Sequence, residues 1–289
     1  MGDPDRALAC QLLHACHALY AVDAGGFKAS PWFPGAGFVA DPVFVEKGPK
    51  RIHAFIAGAH AAGVVVAFRG TLLPDPKGPL DRILRDWIND FNLALAPVAG
   101  LPGKVHAGVG EGHSLLLPEL LAAVRTLASA NRPVIVTGHS KGGLLAAYAA
   151  VALHRAGIPV ASVYRFGSPR VGNRAFADAC EAAVPAHWRF EARNDVVVHL
   201  PLRLGLAPIA QAVGASTVHE FLEDYEQVGE LRYIRPDGTI VPDSPALEAS
   251  RDAELLKAFG SGNLDFIYDD HFLPRGYKPA ICGGPPDVP

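Results

Sequence analysis

The segment Gly138-His139-Ser140-Lys141-Gly142 places a serine between two glycines in the pattern Gly-x-Ser-x-Gly. Glycines at these positions let two backbone segments approach closely, and a serine on a tight strand-to-helix turn presents its hydroxyl group above a sheet. An apolar run, Val134 to Thr137, precedes the motif, and an Ala- and Leu-rich segment follows it. This context favours Ser140 as the nucleophile of an acyl-transfer reaction over a serine that only caps a helix.

A serine nucleophile needs a histidine base and an acid that orients this base. In this arrangement the chain order is serine, then acid, then histidine. Asp195 comes a short turn after a predicted strand and fits the acid, although an aspartate that only shapes a turn is the alternative. The histidines downstream are His199, His219 and His271. His199 lies in an apolar run that favours packing, and His219 precedes a solvated, helix-like segment. His271 lies in a predicted polar loop, so we predict it as the base.

The elements around these residues alternate between strand and helix. Such alternation implies a mostly parallel sheet with helices on both faces, and ligands then bind at the carboxyl ends of the strands. Thr71, Ser140 and Asp195 each fall just after a predicted strand. The pattern predicts strands over residues 51–57, 64–68, 134–137, 160–166 and 188–192, and helices over 6–22, 117–128, 141–155 and after 173.

Composition excludes several classes of function. The 289 residues are 49% hydrophobic and 19% charged, which is typical of a globular protein, and we expect a single domain over residues 1–289. With a net charge of −3 and no Lys/Arg-rich run, nucleic acid is not expected as a partner. No stretch reaches the roughly 20 apolar residues of a transmembrane segment.

The location of the protein is predicted from its first residues and its cysteines. Residues 1–5 carry two acids and no basic cluster, which is not the pattern of a signal peptide. Cys10, Cys16, Cys180 and Cys282 show neither metal-ligand spacing nor the density of a disulfide scaffold, so we expect small apolar core residues, with disulfide bridges as the alternative. Both observations favour a cytoplasmic protein, with export as the alternative.

Several motifs together resemble the class 3 lipases, the family of the fungal-type triacylglycerol lipases. The resemblance runs from about Val64 to Tyr277. It rests on Ala67-Phe68-Arg69-Gly70-Thr71, Asp86-Trp87-Ile88-Asn89-Asp90, Val105-His106-Ala107-Gly108, the Ser140 motif, Phe166-Gly167-Ser168-Pro169-Arg170-Val171-Gly172-Asn173, Asn194-Asp195 with Leu200-Pro201, and Asp270-His271 with Tyr277.

The resemblance implies an α/β-hydrolase fold, Asp195 as the acid and His271 as the base. It also implies an oxyanion hole formed by the backbone N–H groups of Thr71 and Lys141, because two aimed amides stabilise the negative charge of an acyl-transfer transition state. No cofactor or metal is implied. The implied substrate is an ester or a lipid, with transient contact at a lipid interface. Lys141 departs from the family, whose better-known members carry an apolar residue there.

Residues 72–86 are predicted to form a mobile lid. Leu80, Ile83, Leu84, Trp87, Ile88 and Phe91 share one face of a predicted helix, and the Pro/Gly-rich stretch before it could act as a hinge. A fixed surface helix is the alternative, above all from Trp87 onward. We further expect the ammonium group of Lys141 to pair with Asp86 or Asp90; a solvated lysine whose stem covers apolar surface is the alternative.

These observations predict a serine carboxylic-ester hydrolase, a lipase or an esterase. Thioester or amide hydrolysis would use the same residues. The remaining alternative is an interaction protein that has lost catalysis on this fold, against which the intact set of Ser140, Asp195 and His271 argues.

Overall fold

The computed structural model describes residues 2–22, 25–49, 52–72, 94–128, 132–201, 224–261 and 269–284. Eight of the strands within them form one sheet in the order β1-β2-β3-β6-β7-β8-β9-β10. The strands are β1 (Val43–Lys47), β2 (His53–His60), β3 (Gly63–Phe68), β6 (Val134–His139), β7 (Val160–Phe166), β8 (His187–Ala192), β9 (Glu230–Ile234) and β10 (Ile240–Pro242). A separate antiparallel pair consists of β4 (Leu95–Ala96) and β5 (Val105–His106).

The centre of the sheet is parallel and its edges are antiparallel. Strands β3, β6, β7, β8 and β9 pair in parallel, whereas β1 and β2 on one side and β10 on the other pair antiparallel with their neighbours. Because parallel strands begin and end on the same sides of a sheet, the carboxyl ends of β3, β6 and β8 meet at one edge. The mostly parallel sheet of the prediction is confirmed.

Helices cover both faces. They are α1 (Arg6–Ala18), α2 (Ala107–Leu127), α3 (Lys141–Arg155), α4 (Arg174–Ala183), α5 (Pro245–Gly260) and α6 (Lys278–Cys282). Alternate residues of the central strands belong to two different cores: Val64, Val66 and Val136 pack with α2, α3 and α4, whereas Val65 and Ile135 pack with α1 and α6. This period of two is what a sheet buried on both faces requires.

The disulfide Cys10–Cys282 links α1 to the end of α6, with Cα atoms 5.0 Å apart. The prediction that all four cysteines are apolar core residues is therefore wrong for this pair, and it holds for Cys16 and Cys180, which are buried thiols. A bond between residues that lie so far apart in the sequence leaves no local pattern, which is why spacing did not reveal it.

Helix α2 begins ten residues before the predicted start, at Ala107 instead of residue 117. Gly108, Gly110 and Gly112 disfavour a helix by propensity. In the structure Gly112 serves packing, because a Cβ at this position would lie 2.4 Å from the ring of His53. Close packing against β2 therefore explains why a glycine occurs at position 112 of this helix.

The segment predicted as a mobile lid, residues 72–86, is described only at Leu72. The apolar face of its predicted helix lies outside the described residues, so the lid stays a prediction. Within the described parts of the chain, no helix is long and apolar enough to cross a membrane.

Candidate active site

Ser140 occupies the turn between strand β6 and helix α3, with φ 56° and ψ −129°. A non-glycine residue with positive φ is strained, and the turn is held by backbone hydrogen bonds from Ser140 N–H to the Phe166 carbonyl and from Gly143 N–H to the Ser140 carbonyl, both 2.9 Å. A Cβ at Gly142 would lie 2.3 Å from the carbonyl oxygen of Phe68. Glycine therefore allows the start of α3 to approach the end of β3, as the motif predicts.

Asp195 and His271 form a hydrogen-bonded pair close to this turn. Asp195, which is fully buried, follows strand β8, and its Oδ2 atom lies 2.9 Å from Nδ1 of His271. Because a carboxylate only accepts, Nδ1 carries the proton, and the lone pair that can receive a proton lies on Nε2. This is the orientation that a general base needs in acyl transfer.

Two further donors hold the Asp195 carboxylate. The hydroxyl group of Tyr277 donates to Oδ2 at 2.5 Å, and the N–H of Val197 donates to Oδ1 at 3.0 Å. Tyr277 is also fully buried, and burial together with the Asp195 charge raises its pKa well above the usual value, so it remains a donor. The sequence motifs include Tyr277 but do not indicate that it donates to Asp195, because the two residues lie 82 positions apart.

Asp270 ties the predicted base, His271, to the turn that carries the predicted acid, Asp195. Its carboxylate accepts hydrogen bonds from Nη1 of Arg193 at 2.8 Å and from Asn194 N–H at 3.1 Å. Burial raises the pKa of Asp270, and the Arg193 guanidinium acts in the opposite direction. Arg193 itself has a positive φ of 43°. The residues next to the acid and next to the base are thus joined directly.

The predicted oxyanion residues lie on adjacent segments. Lys141 is the first residue of α3, where N–H groups have no partner within the helix, and Thr71 follows the end of β3. A Cβ at Gly70, next to Thr71, would lie 2.8 Å from the carbonyl oxygen of His139. The loop after β3 and the turn at Ser140 are therefore in contact, as an oxyanion hole built from both would require.

The side chain of Lys141 is buried and donates to the carbonyl oxygen of Ile52 at 3.0 Å. The neighbouring His53 has a pKa lowered to about 4, chiefly by burial and also by the charge of Lys141. The predicted partners Asp86 and Asp90 lie outside the described residues, so their pairing with Lys141 stays a prediction. The described contact ties Lys141 to the segment before β2.

The two other histidines that the sequence offers as the base are His199 and His219. His199 ends a short 3₁₀ helix, Val196–His199, and its Nδ1 lies 3.9 Å from a carboxylate oxygen of Asp252. His219 lies outside the described residues. Of the candidates that are described, His271 is the one that the structure brings to Asp195.

A group of side chains with metal-ligating atoms lies away from this site, within the part of the chain that the structure describes. Cys10, His14 and Cys282 offer ligand atoms within 4.8 Å of one another. The two sulfur atoms are joined in a disulfide and are not thiolates, which are the form that binds metals. These residues therefore do not fit a metal ion in this state of the protein.

Comparison with known proteins identifies lipases that are similar in sequence to this chain. The family model for lipase (class 3) matches residues 65–205. The chain is 34% identical over 174 residues to a secreted mono- and diacylglycerol lipase of Fusarium solani, covering 58% of this chain and 50% of that protein. It is 30% identical over 152 residues to a secreted mono- and diacylglycerol lipase of Penicillium cyclopium, covering 51% of this chain and 46% of that protein. The chain thus spans about half the length of the curated relatives it matches.

Solved structures share the fold. A variant of MDLA from Penicillium cyclopium superimposes with a TM-score of 0.63 at 21% identity, over 91% of this chain and 92% of that one. A triacylglycerol lipase described as having a serine protease triad at its catalytic centre superimposes with a TM-score of 0.56 at 20% identity, over 79% of this chain and 78% of that one. The expected α/β-hydrolase fold is confirmed.

The expectation of a cytoplasmic protein is wrong, because the relatives from Fusarium solani and Penicillium cyclopium are secreted lipases. A disulfide between α1 and α6 agrees with this correction, since disulfides persist in oxidising surroundings. The composition of residues 1–5 does not by itself determine whether a protein is exported. The matched family model, the shared motifs and the common fold lead to one assignment: residues 65–205 of this chain belong to the class 3 lipase family.

Proposed function

We propose that the protein is a serine carboxylic-ester hydrolase that acts on acylglycerols or related lipid esters outside the cell. The observation that carries the proposal is the geometry of three residues at one edge of the sheet. Ser140 occupies a strained strand-to-helix turn, and His271 is oriented by the buried Asp195 with its proton on Nδ1. A nucleophile, a base and an acid in these roles perform acyl transfer on many unrelated folds.

In the proposed reaction, Ser140 Oγ attacks the ester carbonyl carbon while Nε2 of His271 takes the hydroxyl proton. Asp195 stabilises the imidazolium that forms. The N–H groups of Thr71 and Lys141 donate to the oxyanion, and losing one such donor typically costs about 3–4 kcal/mol. The imidazolium then protonates the leaving alcohol, and the acyl group stays on Ser140. Water, activated by His271 in the same way, releases the fatty acid and restores the serine.

The substrate class rests on the family and on the relatives named as mono- and diacylglycerol lipases. An ester of this kind is uncharged at the bond that is cleaved, which suits a protein whose net charge is only −3. We propose transient contact with a lipid interface through residues 72–86, and one domain that contains the whole site. Nucleic acid is not proposed as a partner.

The proposal is tested with a fluorophosphonate probe and with p-nitrophenyl esters of increasing chain length. The unmodified protein should be labelled stoichiometrically, and Ser140→Ala should lose labelling and on the order of 10⁶ in kcat. Ser114→Ala is the matched control, because the hydroxyl of Ser114 only donates to the Gly110 carbonyl within α2, at 2.9 Å. A Ser140→Ala variant that keeps its turnover would rule out the proposed nucleophile.

A second experiment identifies the type of acyl bond that the protein cleaves. An oxygen ester, a thioester and an amide of the same fatty acid are offered at equal concentration, and the oxygen ester should have the highest kcat/KM. A higher kcat/KM for the thioester or amide would contradict the ester assignment. Absence of both labelling and hydrolysis would indicate the non-catalytic alternative.

A further inference from the structure

The hydroxyl group of Tyr20 lies 2.7 Å from Nδ1 of His139, the residue that precedes Ser140. Tyr20 follows helix α1, and its N–H group donates to the His17 carbonyl at 3.0 Å. Tyr20 lies outside residues 65–205, the region that the family model matches. The contact joins the N-terminal helix to the turn of the nucleophile.

The directions of the hydrogen bonds around His139 follow from its other nitrogen. Nε2 of His139 lies 2.9 Å from the carbonyl oxygen of His271. A carbonyl oxygen only accepts, so Nε2 carries the proton. Burial lowers the pKa of His139 well below its usual value, and the neighbouring His271 lowers it further, so the ring is neutral. In a neutral ring, Nδ1 then accepts, and the hydroxyl of Tyr20 must be the donor.

The hydroxyl oxygen of Tyr20 also reaches the loop after β3. A Cβ at Gly70 would lie only 1.9 Å from this oxygen. Burial raises the pKa of Tyr20, so its hydroxyl group stays protonated. One hydroxyl therefore contacts the loop of Thr71 and, through His139, both the turn of Ser140 and the backbone of His271.

We propose that Tyr20 is a positioning residue that acts through His139 and fixes Ser140, His271 and the Thr71 loop relative to one another. The inference rests on the proposed function, because the three segments are those that would supply nucleophile, base and oxyanion donor. A side chain that only filled space would need its ring and not its hydroxyl. The series of contacts from Gly70 through Tyr20 and His139 to His271 gives the hydroxyl group of Tyr20 a directional role.

The test is Tyr20→Phe, which keeps the ring and removes the hydroxyl. We expect kcat for a dissolved short-chain ester to fall about tenfold with KM nearly unchanged, because small displacements of reacting groups are costly. The matched control is Tyr148→Phe, which removes a buried hydroxyl that donates to the Val171 carbonyl at 2.8 Å. The control should lose comparable thermal stability and keep its kcat. Equal values of kcat in the two variants would overturn the inference.

A second measurement does not depend on activity. In protein labelled with ¹⁵N in histidine, the His139 ring should show a protonated Nε2 and an unprotonated Nδ1. Tyr20→Phe should change the His139 shifts and those of His271, whereas Tyr148→Phe should leave both. A proton on Nδ1 in the unmodified protein would refute the proposed chain. A failure of the proposed function appears separately, as turnover that does not depend on Ser140.

Discussion

Removal of the Cys10–Cys282 disulfide is a direct test of how the two ends of the described fold are held. The perturbation is the double variant Cys10→Ala/Cys282→Ala. The bond joins residues 272 positions apart. The chain-entropy model assigns a loop of this length a stabilisation of about 5–6 kcal/mol, and residual structure in the denatured state usually reduces such values. We therefore expect the free energy of unfolding to fall by about 4 kcal/mol.

That loss converts into a shift of the melting temperature. An unfolding entropy of about 2.1 cal/mol/K per residue gives roughly 0.6 kcal/mol/K for a chain of 289 residues. The double variant should therefore melt about 7 °C lower. Below that temperature the site should stay assembled, because Nε of Arg6 still donates to the Ile281 carbonyl at 3.1 Å and Ile281 remains in the core.

The assay is scanning calorimetry with and without a thiol reductant. Reductant should lower the melting temperature of the unmodified protein to that of the double variant and leave the variant unchanged. Cys16→Ala/Cys180→Ala is the control, since it removes two buried thiols and no disulfide bond. A shift below about 2 °C, or an equal effect of reductant on both proteins, would refute the reasoning.

Two further predictions concern the acid and the buried histidines. Tyr277→Phe removes the hydroxyl donor of Asp195, and we expect kcat to fall about tenfold with KM unchanged, measured by ester hydrolysis; an unchanged kcat would show that the donor is dispensable. Burial lowers the pKa of His106 and of His113 to about 4, so the unfolded chain binds more protons between pH 4 and 6.5. Stability should be complete above pH 6.5 and fall by about 1 kcal/mol per histidine for each pH unit below it. Melting temperatures at pH 7, 6 and 5 test this, and His113→Asn should have a flatter profile; a constant melting temperature would contradict it.

The centre of the sheet was predictable because its strands are apolar on both faces. The runs that became β6 and β7 are buried almost throughout, so their residues show a continuous apolar pattern. The edge strands were missed for the opposite reason: β1 is half-exposed and includes Glu46 and Lys47. Mixed polarity of that kind does not distinguish a strand from a loop.

The residues of the candidate site also differ in how far the sequence predicts them. Ser140 and Asp195 were predicted because each follows a strand and has a local motif. Tyr20 and His139 lie 119 residues apart, and no spacing relates them. Contacts of this kind depend on how α1 docks on the sheet, which the sequence pattern of α1 alone does not specify.

Ser140 and Arg193 are the non-glycine residues with positive φ in the described parts of the chain, and both lie at the candidate site. Backbone conformations of this kind cost on the order of 1–3 kcal/mol each and persist only where the surroundings enforce them. Glycine at either position would relieve that cost, but it would also remove the proposed nucleophile or the guanidinium that binds Asp270. Selection for heat resistance alone would therefore favour replacements that acyl transfer forbids. In a library of variants, gains in melting temperature at these two turns should come with loss of turnover, so thermostabilisation is better sought elsewhere in the fold.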